Sequence, residues 1–118
     1  QLAERYDNRL VGLPLATPWQ HLDAQSARHL YVIRLTGNQG HEFHRRVFEA
    51  LREGGIGVNL HYIPVYLQPY YRAIGFTPGL CPEAERYYAE AISLPLYSEL
   101  TDLQQDEIIN VLERVLVK

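Results

Sequence analysis

Methionine is missing from this chain of 118 residues, and its only cysteine and only lysine are Cys81 and Lys118. Each shortage excludes something. A lone Cys81 cannot close an internal disulfide, which fits a reducing compartment; the expected location is the cytoplasm. Without a methionine, Gln1 is not a natural start, and a helix-compatible opening with no start signal reads as a piece cut from a longer protein. Chemistry that needs a desolvated amine, such as a Schiff base, finds only Lys118, the final residue after a surface helix. No apolar run approaches a membrane-spanning length, so no membrane role is expected. Basic charge is also short: the formal net charge is −3, which argues against nucleic acid or acidic lipid as the main partner.

What is present is enough for one domain with its own core. Leu2, Tyr6 and Leu10 recur at helical spacing over Gln1 to Leu10. Val11 to Leu15 is limited by Pro14 to an edge strand or extended linker, and Ala16 to Gln25 reads as loop, with Trp19 as a packing anchor. Arg28 to Leu35 alternates as a strand, with His29, Tyr31, Ile33 and Leu35 on one face. A helix from about His41 to Glu53 carries Phe43, Val47, Phe48 and Leu51 as its buried stripe, and Gly54 stands at or beside its C-cap. Pro82 suits the first turn of a helix reaching about Ala91, and Ser93 to Leu96 is a short apolar strand limited by Pro95. Thr101-x-x-Gln104 is a capping box for a last helix whose stripe is Leu103, Ile108, Leu112 and Val115. The element order predicts an α+β domain: a small antiparallel or mixed sheet with helices on one face.

The most informative stretch lies between two of these helices. Gly54 and Gly55 end a helix, and Ile56 to Ile63 reads as a buried central strand stopped by Pro64. His61, Tyr62, Tyr66, Tyr70, Tyr71 and Arg72 then follow within a few residues. Polar-tipped rings directly after a strand commonly face a ligand. Tyr70 to Ile74 is compatible with a helical turn ended by Gly75.

Gly55-Ile56, His61-Tyr62-x-Pro64, Gln68-Pro69-Tyr70-Tyr71-Arg72, Cys81-Pro82-x-Ala84-Glu85 and Ser93-Leu94-Pro95-Leu96 stand in the order found in one family. The chain resembles the C-terminal part of the DegT/DnrJ/EryC1/StrS sugar aminotransferases, which use pyridoxal phosphate (PLP) and have fold type I. The nearest subgroup is the UDP-4-amino-4,6-dideoxy-N-acetyl-β-L-altrosamine transaminases of pseudaminic acid synthesis. The resemblance runs from about Tyr6 to the end and covers the last third or so of such an enzyme. It implies that residues 1–118 are a single small C-terminal domain. It implies a full-length homodimer that aminates a UDP-4-keto-6-deoxy-hexosamine with glutamate as amino donor. The Schiff-base lysine and most cofactor contacts are then in an absent large domain. No residue here inherits a catalytic or cofactor-binding role, and the piece alone is expected to bind no PLP and to be inactive.

The positions that match the family's motif make His61, Tyr62, Tyr66, Tyr70, Tyr71 and Arg72 the candidate substrate-binding residues. His61 either bonds a sugar or cofactor oxygen or orients its own loop. Tyr70, Tyr71 and Arg72 either meet a sugar, uracil or phosphate or pack the segment down with wet hydroxyls. Many family members carry a second histidine where this chain has Tyr66, so any role needing an imidazole there is lost. His41 and His44, three apart, read as a solvated face rather than a metal pair. Cys81 reads as a capping or buried residue, and Ser93 lies outside any Gly-x-Ser-x-Gly elbow. The competing reading is a stand-alone module that binds a sugar-nucleotide or a protein without chemistry.

Overall fold

The computed structural model describes residues 1–37 and 39–117. Helix α1 (Leu2–Arg9) leads to a two-residue strand β1 (Leu15–Ala16), and β2 (Tyr31–Leu35) precedes α2 (Gly40–Glu53). A 3₁₀ turn (Val65–Leu67), a short α3 (Pro69–Ala73) and α4 (Pro82–Glu90) lead to β3 (Ala91–Leu94) and the closing α5 (Asp102–Leu116). The strands form one antiparallel sheet in the order β1-β2-β3, with Tyr31 opposite Leu94 and Ile33 opposite Ile92. The fold is thus the small α+β arrangement that the sequence predicts.

The β2 alternation sets the two faces. Tyr31, Ile33 and Leu35 are buried, and with Ile92 and Leu94 they meet Val47 and Leu51 of α2 and Ile108, Ile109 and Leu112 of α5. Val32 and Arg34 point the other way. There the Arg34 guanidinium pairs with Glu90 at 2.9 Å and lies over the Tyr87 ring, which brings α4 to this second face. Tyr6 and Tyr31 stack at 4.7 Å in the core, and both hydroxyls are bonded, to the Pro95 carbonyl and the Asp7 carboxylate. Burial pushes the pKa of both phenols up, and the Asp7 hydrogen bond adds to it at Tyr31.

Local chemistry explains the helix ends. Thr101 Oγ1 accepts the Gln104 N–H at 3.1 Å and Gln104 Oε1 accepts the Thr101 N–H at 2.9 Å, so the capping box is complete. At the end of α2 the Gly55 N–H reaches the Arg52 carbonyl and the Ile56 N–H reaches the Leu51 carbonyl. With φ of 84° at Gly55, this is a Schellman motif, and the buried Ile56 and Leu51 supply its apolar contact. Helix α1 is fastened to α5 by polar groups. Gln105, fully buried, donates to the Leu2 carbonyl and accepts from Arg5, while Asp106 receives both Arg5 and Arg9 at 2.7 Å.

Several expectations are corrected here. Ile56 to Ile63 is not a strand. Ile56 and Val58 are buried with the expected alternation, but the Val58 N–H turns back onto the Ile56 carbonyl. Only Asn59 pairs, as a single bridge to Ser93. β2 begins at Tyr31 instead of Arg28, because Arg28 has φ of 55°, outside extended backbone. β3 begins at Ala91 and ends before Pro95, two residues earlier than expected. Trp19 is 83% exposed, edge-on to His21, and anchors nothing in this chain. Leu103 is also exposed: it sits above Glu107 on the outer side of α5, and buried Gln105 takes the inner place. Asn38, in the expected break after β2, and Lys118 lie outside the described residues.

Candidate functional site

The candidate residues are carried on a segment that leaves the core at Leu60. His61 stands on the sheet face opposite the core and meets β3: its Nδ1 is 2.7 Å from Ser93 Oγ. The backbone supports this contact, because Asn59 and Ser93 exchange two hydrogen bonds, at 3.2 and 2.8 Å. The Tyr62 ring stands edge-on to the His61 ring at 4.6 Å and is otherwise exposed.

Pro64 turns the chain into the 3₁₀ turn that carries Tyr66. The Tyr66 hydroxyl donates to the Glu85 carboxylate and accepts the Cys81 N–H at 3.0 Å, and Glu85 also accepts the Gly79 N–H at 2.6 Å. Slight desolvation and then the hydrogen bond to Glu85 raise the Tyr66 pKa. The Glu85 carboxyl is held below its usual range, first by the Tyr66 hydroxyl and then by the Gly79 N–H. Tyr66 therefore ties the turn to the start of α4, with its hydroxyl already engaged.

Pro69 opens α3 at its first position, and the helix presents Tyr70 and Tyr71 with rings edge-on at 5.2 Å. Phe76 backs Tyr71 at 5.9 Å. Arg72 lies in the last turn of α3, exposed, with no ion-pair partner among the described residues. The structure thus gathers His61 with Tyr62, and Tyr70 with Tyr71, and sets Tyr66 apart in its own network. An uncommitted guanidinium, exposed phenols and an imidazole fixed at one nitrogen can hydrogen-bond and stack, and Arg72 can also pair with an anion.

Sequence reasoning missed three participants. Ser93 is 4% exposed and bonds His61; a polar residue inside the run Ala91-Ile92-Ser93-Leu94 was the available signal, since buried hydroxyls need partners. Glu85, named from the sequence only as part of the Cys81-Pro82-x-Ala84-Glu85 motif, is the carboxylate that holds Tyr66 and Gly79. His44, read as solvated, is buried at 4% exposure and its Nε2–H donates to the Ala91 carbonyl at 2.9 Å. Its spacing to Val47 and Leu51 puts it on the inner stripe of α2. Its ring lies 6.5 Å from that of His41, and no metal-binding cluster of three or more His, Cys, Asp or Glu exists among the described residues. Cys81 is exposed and free.

A three-stranded antiparallel sheet backed by helices, with an aromatic arm outside its core, defines a small α+β domain. The family model described as DegT/DnrJ/EryC1/StrS aminotransferase matches residues 1–113, and the chain belongs to that family. It is 33% identical to the spore coat polysaccharide biosynthesis protein SpsC of Bacillus subtilis, over 98% of this chain and 30% of that protein. Among solved structures it superposes on the putative sugar aminotransferase Spr1654 of Streptococcus pneumoniae, apo-form, with a TM-score of 0.89. That match has 30% identity and covers 97% of this chain and 29% of that one. PseC of Helicobacter pylori, an aminotransferase involved in the biosynthesis of pseudoaminic acid, superposes at a TM-score of 0.84 with 25% identity. There the coverage is 98% of this chain and 31% of PseC. The chain therefore spans under a third of the length of these relatives. Spr1654 has also been solved in a PLP-form, so the family implies PLP in full-length enzymes. Among the described residues there is no lysine to hold that cofactor, and they do not fit it by themselves.

Proposed function

We propose that this chain is the C-terminal small domain of a PLP-dependent nucleotide-sugar aminotransferase. The full enzyme, a cytoplasmic homodimer, converts a UDP-4-keto-6-deoxy-hexosamine to its 4-amino sugar with glutamate as donor. The product serves pseudaminic acid or another surface polysaccharide, as an altrosamine transaminase would. The observation that carries this reading is the near whole-chain superposition on Spr1654. The names of SpsC and PseC support the polysaccharide and pseudaminic directions.

When bound in the full enzyme, PLP supplies the electrophile and electron sink for amino-group transfer. The part this chain plays is binding. His61 hydrogen-bonds the sugar-nucleotide, Tyr62, Tyr70 and Tyr71 lend ring faces and hydroxyls, and Arg72 takes a phosphate. Tyr66 serves the same site from behind by fixing the turn onto α4. Lacking a suitably placed amine, the chain alone does not transaminate.

The test has two arms. The 118-residue chain, incubated with PLP, glutamate and the UDP-4-keto sugar, yields no amino sugar, whereas the longer protein that contains it does. An NMR amide titration of the chain with a UDP-N-acetylhexosamine shifts Tyr62 to Arg72. Turnover by the 118-residue chain would overturn the assignment of the chemistry to an absent domain. Failure of the longer protein to aminate any UDP-4-keto sugar would overturn the assigned reaction.

A further inference from the structure

We infer that Ser93 is the positioning residue of this site: it holds His61 as the neutral Nε2–H tautomer, so that the ring offers a hydrogen-bond donor to an oxygen of the sugar-nucleotide. This rests on the proposed role of His61 in binding that substrate.

The argument begins with the hydroxyl. Ser93 is 4% exposed, and among the described residues its Oγ has one hydrogen-bond partner, His61 Nδ1, at 2.7 Å. A hydroxyl carries one proton and a neutral imidazole carries one N–H, so two arrangements are available. If Nδ1–H donated to Oγ, the buried serine proton would face no acceptor. Leaving a buried donor unmade costs more than the net worth of an ordinary hydrogen bond. If Oγ–H donates to Nδ1, the serine proton and the Nδ1 lone pair are both satisfied. The remaining ring proton then sits on Nε2, the nitrogen directed away from β3.

The backbone makes this arrangement rigid. Ser93 belongs to the central pairing, opposite Val32 on β2, and its N–H and C=O are both taken by Asn59 on the other side. Asn59 is two residues before His61, so one bridge fixes both ends of the side-chain contact. Had the ladder continued, His61 would stand opposite Ala91, whose small side chain leaves room for the ring to lean diagonally toward Ser93. The Tyr62 ring closes one flank at 4.6 Å. A histidine placed this way loses little orientational freedom on binding, because the scaffold has already fixed its ring plane and tautomer.

The experiment reads the tautomer without any ligand. Long-range proton–nitrogen correlations in the 15N-labelled 118-residue chain, taken where histidine is neutral, are expected to show His61 with a protonated Nε2 and a bare Nδ1. Ser93→Ala is expected to move the His61 ring signals toward the averaged values of an unconstrained imidazole while the amide spectrum stays dispersed. Ser93→Thr, which keeps the hydroxyl, restores them. In the longer enzyme, Ser93→Ala raises the KM for the UDP-sugar about fivefold, the share of one neutral hydrogen bond, and leaves the KM for the amino donor unchanged. A protonated Nδ1 in the wild-type chain, or His61 signals indifferent to Ser93→Ala, overturns the inference. So does an unchanged sugar KM in the variant. Amination by the wild-type longer enzyme is scored separately, so loss of the reaction and loss of the positioning role are distinguishable.

Discussion

Between His61 and Glu90 no residue is buried, whereas every other helix and both longer strands send side chains into the core. The two regions are held by different physics. The scaffold of α1, β2, α2, β3 and α5 closes around one apolar cluster and is secured at α1 by buried Gln105. The arm that carries the candidate site is tied to the scaffold by polar contacts, His61 to Ser93 and Glu90 to Arg34, and braced within itself by Tyr66 to Glu85 and Cys81 and by Glu85 to Gly79. Loss of a core side chain is therefore felt by the whole domain, and loss of an arm contact only locally. The difference also shows at the surface, since an arm kept out of the core leaves Tyr62, Tyr70 and Arg72 exposed.

The largest effect is expected where the scaffold is densest. Ile33→Ala or Leu112→Ala, each at a fully buried site, destabilises by about 2–5 kcal/mol and lowers Tm by about 10 °C or more. Calorimetry or thermal circular dichroism checks this, and a Tm close to wild type would dissolve the contrast. Gln105→Ala comes next. It leaves the Leu2 carbonyl and one Arg5 N–H without their partner, at about 1–3 kcal/mol, and hydrogen exchange should show α1 opening ahead of α5.

A smaller effect follows acid. Arg9 and then Arg5 hold the Asp106 carboxyl below its usual range. A carboxyl with a lowered folded pKa contributes stability that is complete above its unfolded value, about 3.9, and is lost as pH falls through the folded value. Tm of the wild type should therefore decline below about pH 4 more steeply than that of Asp106→Asn. Added salt should shrink the difference, because the group is exposed. The smallest effect on Tm belongs to Tyr66→Phe, which removes the hydroxyl from the Glu85 and Cys81 contacts. Its signature is local: amide exchange at Gly79 and Cys81 quickens several-fold while core amides hold. A global loss of stability in this variant would place the arm within the scaffold's cooperative unit.

The scaffold was the more legible region. Alternation revealed β2, helical spacing revealed α2, and Thr101 with Gln104 marked the start of α5, because each is a local rule that tertiary packing respects. The arm was legible as a motif but not as geometry. Ile56 to Ile63 has the apolar content and the alternation of a strand, yet the turn from Val58 back to Ile56 ends regular pairing, and alternation alone does not report it. The burial of His44 and the partner of Ser93 were missed for a shared reason. Each is polar, each is buried, and each has as partner a residue far along the chain, Ala91 or His61. Trp19 and Leu103 show the converse error, since large apolar side chains are also common at surfaces.

The outer edge of β3 carries a consequence for how copies of this chain treat one another. All four residues of β3 are buried, and three are plainly apolar, the composition that makes an exposed edge a template for another strand. That template is blocked by unlike means: Asn59 takes the Ser93 N–H and carbonyl, and the His44 imidazole takes the Ala91 carbonyl. The side chain of a helix thus does the work of a neighbouring strand without offering an edge of its own. His44→Leu would keep the apolar packing of α2 while uncovering that carbonyl, and slow self-association through β3 is the expected result.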